Sequence, residues 1–304
     1  MSQTYQAIRF HAYGGSDVLQ LETLPRPVPA EGEVLIKVHF AGVNPIDWKL
    51  RSGAYQAFMP TKFPAHPGID VSGVIEEVGP GVTAFKKGDA VFGAGRGSYA
   101  QFALAKAVDV VAKPTALSFE LAAALPVGAL TGWQEVETAG VKAGQRVLVQ
   151  GAAGGVGLFA VQFAKLKGAH VIGSASAGNA AFVKSLGADE VLDYAKGPLA
   201  AKDLDVVIDT VGGAVLESSY ALLKKGGVLV TVAGQPSEEK AKAHGITAHY
   251  VSRGPIKELA AIADLVMAKK VVAEVQKVFP LTQARQAHDL SQGGHGRGRI
   301  LLQP

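Results

Sequence analysis

The sequence predicts an α/β protein in which a β-rich region is followed by a doubly wound parallel six-stranded sheet. Three observations predict it. Residues 1 to about 120 run through short strands punctuated by glycine and proline, residues from about 146 to 251 alternate strand with helix, and the first strand–helix junction, 146 to 168, carries a run of glycines.

The early strands are read at 5–10, 18–24, 33–43, 70–79, 89–94, 98–104 and 108–114, a spacing that suggests a barrel-like β domain. An alanine-rich helical pair at 118–140, interrupted at Pro126, forms the hinge to a second architecture. There the strands fall at 147–150, 170–176, 190–194, 205–213, 226–234 and 246–251 with helices between them, which implies a parallel sheet that takes ligands at its strand C-terminal ends. A helix at 256–270 and strand-like segments at 271–281 and 297–303 complete the chain. The expected domains are therefore 1–122, 123–266, and a C-terminal 267–304 that returns to the first.

With 304 residues, 48% of them hydrophobic and 18% charged, the chain can bury a sizeable core. Its net charge of +4 is scattered, so nucleic acid is not the expected partner. The C-terminal group His295, Arg297 and Arg299 reads as a solvated turn beside the last strand. No stretch approaches the ~20 apolar residues of a membrane helix, and residues 1–15 have no apolar signal region, so the expectation is a cytoplasmic protein without a membrane partner. The absence of cysteine removes disulfides, thiolate nucleophiles and cysteine-based zinc sites. The eight histidines show no ligand spacing, and no metal is expected.

The glycine run carries the chemistry. Val147, Leu148 and Val149 suit a strand buried on both faces. Gly151, Gly154, Gly155 and Gly157 let the backbone turn and approach a ligand. From Leu158 apolar residues recur at helical spacing, so a helix N-terminus with unpaired N–H groups points at the turn and favours phosphate oxygens. Against the dinucleotide pattern G-x-G-x-x-G the match is Ala152, Gly154 and Gly157, with alanine in the first position; Gly155 and Val156 complete the turn. The next strand ends in Ser174, Ala175 and Ser176 where an NAD-specific chain places a carboxylate. Small hydroxyl residues leave room for a 2′-phosphate, so NADP (NADPH) is the favoured cofactor, with Asn179 beside them. The plainer alternative is that these serines merely cap the next helix.

These features resemble the medium-chain dehydrogenase/reductases, in the zinc-independent quinone oxidoreductase and enone reductase branch. The resemblance rests on GVNPIDWKLRSGAY at 42–55, FPAHPGIDVSGVIEEVGPGV at 63–82, AAALPVGALTGW at 122–133, GAAGGVG at 151–157, SLGADEVLDY at 185–194, DTVGG at 209–213 and the ending GRGRILL. It implies a GroES-like β-rich catalytic domain plus a Rossmann domain, with a cofactor cleft between them, and a homodimer. Zinc alcohol dehydrogenases of the superfamily hold their metal with a cysteine and a Gly-His-Glu segment. Here Asn44 stands for the cysteine, and Gly68, Ile69 and Asp70 for the segment.

A nicotinamide donor without a metal suits hydride delivery to quinones or α,β-unsaturated carbonyls. By resemblance, Asn44 touches the nicotinamide-ribose side, Lys49 the ribose or the substrate oxygen, and Tyr55 lines the substrate site. Each has a plainer reading, in which Asn44 stabilises a turn before Pro45, Lys49 is a solvated charge and Tyr55 is packing. Asp47 is read as a turn-stabilising carboxylate. Also by resemblance, Thr131 faces the cofactor, Tyr194 supports the adenosine half, and Val232, Ala233 and Gly234 border the nicotinamide amide. Arg299 either contacts a phosphate or flanks the final strand, and Trp48, Phe58, Phe63 and Trp133 either shape an apolar pocket or pack in a core. The rival function is an NADPH-binding redox sensor or structural protein without significant turnover.

Overall fold

The computed structural model describes residues 4–294 and 296–304, so His295 lies outside the described residues. The chain divides into two compact units, one of Met1–Val127, Pro255–Met267 and Ala273–Pro304, the other of Gly128–Gly254 and Ala268–Val272.

The first unit opens with an antiparallel hairpin of β1 (Thr4–Arg9) and β2 (Gln20–Pro25). Strand β3 (Glu33–Val43) leads directly into helix α1 (Pro45–Ser52). Then come β4 (Asp70–Val78), β5 (Ala90–Ala94), β6 (Phe102–Lys106), β7 (Val110–Ala112) and a short helix α2 (Phe119–Ala123). Strand β3 is central: it pairs antiparallel with β4 and with β6, and its Val34, Leu35 and Ile36 are all fully buried.

Helix α3 (Pro126–Thr138) starts at Pro126, where a missing N–H and a fixed φ are harmless. That proline therefore begins a helix where the composition suggested an interruption.

The second unit continues with β8 (Arg146–Gln150), α4 (Gly157–Leu166), β9 (His170–Ala175), α5 (Ala180–Ser185), β10 (Glu190–Asp193), β11 (Leu204–Asp209), α6 (Ala214–Ser219), β12 (Leu223–Thr231), α7 (Glu238–His244) and β13 (Thr247–Tyr250). All its strand pairings are parallel, in the order β10-β9-β8-β11-β12-β13. The order reverses direction between β8 and β11, and such a switch point is where an open parallel sheet offers its ligand crevice. Val147, Leu148 and Val149 are fully buried, the mark of a strand covered on both faces.

The chain closes with α8 (Glu258–Met267), β14 (Val275–Pro280), α9 (Ala284–Gly293) and β15 (Arg299–Gln303), all in the first unit. Strand β15 pairs antiparallel with β3 and parallel with β14, completing a seven-stranded sheet. Helices α1, α7 and α9 were not anticipated. In α1 and α9 the buried face is largely polar or small, with Asp47 and Arg51 in one and Ala284, Ala287 and His288 in the other, so neither shows an apolar stripe.

Candidate active site

In the first unit, α1 is docked by a polar face. Asn44 precedes it, and Asn44, Asp47 and Arg51, spaced by three and four residues, are 0%, 3% and 1% exposed. Each meets partners from distant parts of the chain. Asp47 Oδ2 accepts from the backbone N–H of Asn44 at 2.8 Å and from the Tyr99 hydroxyl at 2.9 Å. The Asn44 amide donates from Nδ2 to Asp70 Oδ2 at 3.1 Å and accepts at Oδ1 from Arg299 Nη2 at 2.8 Å. Arg299 Nη2 also pairs with Asp70 Oδ2 at 2.6 Å, and Asp70 Oδ1 accepts from the Val127 N–H at 3.0 Å. Arg51 donates to Gln292 Oε1 at 2.9 Å and lies 3.5 Å from His288 Nδ1.

The charge balance is uneven. Two carboxyls and one guanidinium, each at most 3% exposed, meet around Asn44, and Arg299 is engaged by Asp70. Burial accordingly pushes the Asp47 carboxyl up to about 7, with the Asp70 charge adding to the rise and the bonds from Asn44 and Tyr99 opposing it. Burial, then the Asp47 charge, raises the Tyr99 hydroxyl far above its usual range. Burial and the Arg51 cation lower the His288 ring to about 3, so it is neutral.

Gly68 makes this packing possible. Its φ is +99°, and a Cβ there would stand 2.4 Å from the Tyr99 ring.

On the same helix Lys49 Nζ lies 5.6 Å from the Trp48 ring and 5.5 Å from the Tyr55 ring. This is an ammonium held by aromatic faces, an arrangement that keeps its N–H donors available. Tyr55 packs on Phe58, which is 69% exposed.

In the second unit the turn after β8 is compact. A Cβ on Gly157 would stand 2.2 Å from the Gly151 carbonyl oxygen, so no larger residue fits without displacing the turn. Among the described residues, no side chain caps α4, and the N–H groups of Gly155 and Val156 meet no acceptor in the chain. These are the open donors that an anion at a helix N-terminus requires.

Ser174 is 4% exposed; its hydroxyl accepts from the Gly151 N–H at 3.4 Å and its carbonyl accepts from the Ala152 N–H at 3.0 Å. It braces the turn from behind. Ser176 accepts from Asn179 Nδ2 at 3.3 Å, with both residues partly exposed, and no carboxylate stands at the end of β9. Thr131 is buried in α3, Tyr194 is 47% exposed just beyond β10, and Val232, Ala233 and Gly234 are half-buried after β12.

The loop after β12 is tied to the loop after β11 by Asp209. Its Oδ1 accepts from the N–H groups of Val211 and Gly212, each at 3.0 Å, and its Oδ2 from Thr231 Oγ1 at 2.8 Å. Glu135 of α3 is fully buried, its carboxyl oxygens have no hydrogen-bond partner among the described residues, and burial with the Asp209 charge raises it well above the usual carboxylate range.

Two family descriptions match the chain, "Alcohol dehydrogenase GroES-like domain" over residues 30–115 and "Zinc-binding dehydrogenase" over residues 186–302. The quinone oxidoreductase of Mus musculus is 37% identical, with 98% of this chain and 97% of the relative covered. The chain belongs to the medium-chain dehydrogenase/reductase family. It is thus a member of a family of pyridine-nucleotide oxidoreductases that act on small molecules. Its first unit is the GroES-like sheet and its second the Rossmann-like sheet. The structure of the quinone oxidoreductase from Coxiella burnetii superposes with a TM-score of 0.93 at 35% identity, covering 99% of each chain. A mycobacterial relative whose structure is complexed with NADPH superposes with a TM-score of 0.90 at 32% identity, covering 99% of this chain and 100% of that one.

For this dehydrogenase/reductase chain one sequence expectation needs correction. Arg299 is not in a solvated turn. It is 3% exposed, and its guanidinium bonds Asp70 and Asn44 inside the first unit. Of the aromatic residues named for a pocket, half-buried Trp133 lies edge-on to Phe163, and Phe63, 39% exposed, lies edge-on to Phe10 and Tyr13. Sequence reasoning missed the roles of Asp70, Tyr99, Asp209 and Glu135. Only the Asn44-x-x-Asp47 spacing, which resembles a capping box, could have announced part of the cluster.

Proposed function

We propose that this chain is an NADPH-dependent reductase that passes hydride to quinones or α,β-unsaturated carbonyls without a metal. The observation that carries the reading is the open helix start at Gly155 and Val156, followed by a strand, β9, that ends in Ser174 and Ala175 with Ser176 just beyond, where no carboxylate stands. A carboxylate there would repel a 2′-phosphate, whereas Ser176 and Asn179 offer it donors. The N–H groups of Gly155 and Val156 hold the diphosphate, and Val232, Ala233 and Gly234 line the nicotinamide end. The bound nicotinamide supplies a hydride.

The first unit supplies the rest. Lys49, whose ammonium makes no ion pair among the described residues, stabilises the negative charge that develops on the acceptor's carbonyl oxygen, and one such donor is worth roughly 3 kcal/mol. Tyr55 forms the wall beside it, and Asn44 is held in one orientation by Asp70 and Arg299. The residues at the place of a catalytic zinc do not fit that ion. Asn44 is an amide engaged at both ends, and Asp70 is already bonded by a guanidinium. Among the described residues no three His, Cys, Asp or Glu side chains cluster at ligating distance. The reading extends to a cytoplasmic homodimer.

The test is NADPH oxidation with a panel of 1,4-quinones and alkyl enones, alongside calorimetric binding of NADPH and NADH. Turnover with NADPH bound more tightly than NADH supports the reading. Tight NADPH binding with no turnover on any acceptor replaces it by the redox-sensor function.

A further inference from the structure

We propose that the Asp47–Tyr99 pair is the positioning device of the site, holding the start of α1, and with it Lys49, only while Asp47 is ionised. The inference rests on the reductase reading for what Lys49 does, but the device itself is a property of the first unit.

Asp47 is the third residue of α1, and its Oδ2 joins two donors that have nothing else in common. One is the backbone N–H of Asn44, the residue that begins the helix; the other is the hydroxyl of Tyr99, more than fifty residues away in the sequence. A carboxylate can accept both. A carboxylic acid has its own proton to donate, and of these two partners only the Tyr99 oxygen can accept it, so that bond reverses direction and weakens the hold on Asn44.

The surroundings decide whether that happens within the working range. The charged and titratable groups that face the pair are Asp70 from β4, Arg299 from β15, and His288 from α9, whose ring meets Tyr99 edge-on at 5.6 Å; Arg51 of α1 lies against His288. Arg299 is taken by Asp70, and His288 is neutral, so no cation is assigned to Asp47. With the carboxyl buried and pushed up to about 7, the pair changes state near neutrality.

The apolar side chains of α1, Ile46, Trp48 and Leu50, are only partly buried. Its buried side chains are Asp47 and Arg51. A helix docked by directional bonds loses its orientation when one of them reverses.

The experiment uses the full chain and the variants Asp47→Asn and Tyr99→Phe, each followed from pH 5 to 9 by kcat and KM with NADPH and 1,4-benzoquinone, and by thermal unfolding. For the wild type the account expects kcat to fall about fivefold on the acid side of a transition near pH 7, the weight of one lost helix cap, with KM for NADPH unchanged. Asp47→Asn abolishes the transition. Tyr99→Phe moves it to higher pH, because a donor to the ionised form is gone.

Unfolding gives a second arm that needs no turnover. The folded carboxyl titrates above its unfolded value, so the wild type loses stability relative to Asp47→Asn as pH rises from about 4 to about 7, and the difference is constant above that. A transition that survives in Asp47→Asn, or does not move in Tyr99→Phe, overturns the proposal. So does a stability difference that is flat across the range. If no acceptor is reduced while the unfolding difference follows the expected course, the reductase reading fails and the Asp47 device stands.

Discussion

Arg299 and Asp70, 229 positions apart in the chain, form a 2.6 Å ion pair whose side chains are 2% and 0% exposed. The pair joins β15, the last strand, to the start of β4, and Asn44 bonds to both members. The C-terminal segment therefore builds part of the polar cluster at the head of α1.

Breaking that pair from one side leaves a charge without its partner. Arg299→Met should destabilise the protein by about 3–5 kcal/mol, toward the lower end because Asn44 and Val127 still donate to Asp70. Urea unfolding measures it. The double variant Arg299→Met with Asp70→Asn should recover part of the loss, and a single variant as stable as the wild type contradicts the assignment.

Lys49 makes a separate prediction. Lys49→Met keeps the length of the side chain and its aromatic contacts while removing the donor, so kcat should fall by roughly a hundredfold, the weight of about 3 kcal/mol. Its unfolding midpoint should stay within about 0.5 kcal/mol of the wild type, as for other partly exposed positions. Steady-state kinetics with the two proteins side by side distinguishes a lost oxyanion donor from a solvated charge.

At the glycine turn, Gly157→Ala forces a methyl group to within 2.2 Å of the Gly151 carbonyl unless the backbone moves. The displaced turn misaligns the N–H groups of Gly155 and Val156. NADPH affinity should drop at least about tenfold, equivalent to 1.4 kcal/mol, and calorimetry reads it directly.

Much of this was legible in the sequence, and the pattern of success has physical reasons. The strands around Val147 to Val149 and the glycine turn were readable because a doubly buried strand and a tight turn each constrain residue type locally. Helix α1 was not readable, because its buried face is Asp47 and Arg51 and its partners Tyr99, Asp70 and Gln292 come from remote segments. Asn44, Lys49 and Tyr55 were named only through a family resemblance, and nothing in their spacing states that Asn44 is clamped from both ends. Arg299 was misread as solvated because an arginine among glycines, two residues from Arg297, gives no local sign of a buried carboxylate opposite it.

Glu135 predicts a pH dependence of its own. Its folded carboxyl titrates well above the ordinary 4.5, so between those values the unfolded chain releases a proton that the folded chain keeps. Stability is therefore fully present below about pH 4.5 and declines as pH rises toward the folded value. Glu135→Gln removes this decline, and its advantage in thermal midpoint over the wild type should grow from pH 5 to pH 8. An advantage that does not change with pH means that Glu135 is ionised in the folded protein.

The central claim, hydride transfer from the nicotinamide of a dinucleotide whose diphosphate is held at the glycine turn, is tested most directly by following deuterium from the C4 position of NADPH labelled on one face or the other. The account predicts that, with 1,4-quinone or alkyl enone present, label is lost from one face only and at the rate of NADPH oxidation. Loss from both faces alike, or retention of label while NADPH stays bound and unconsumed, contradicts it.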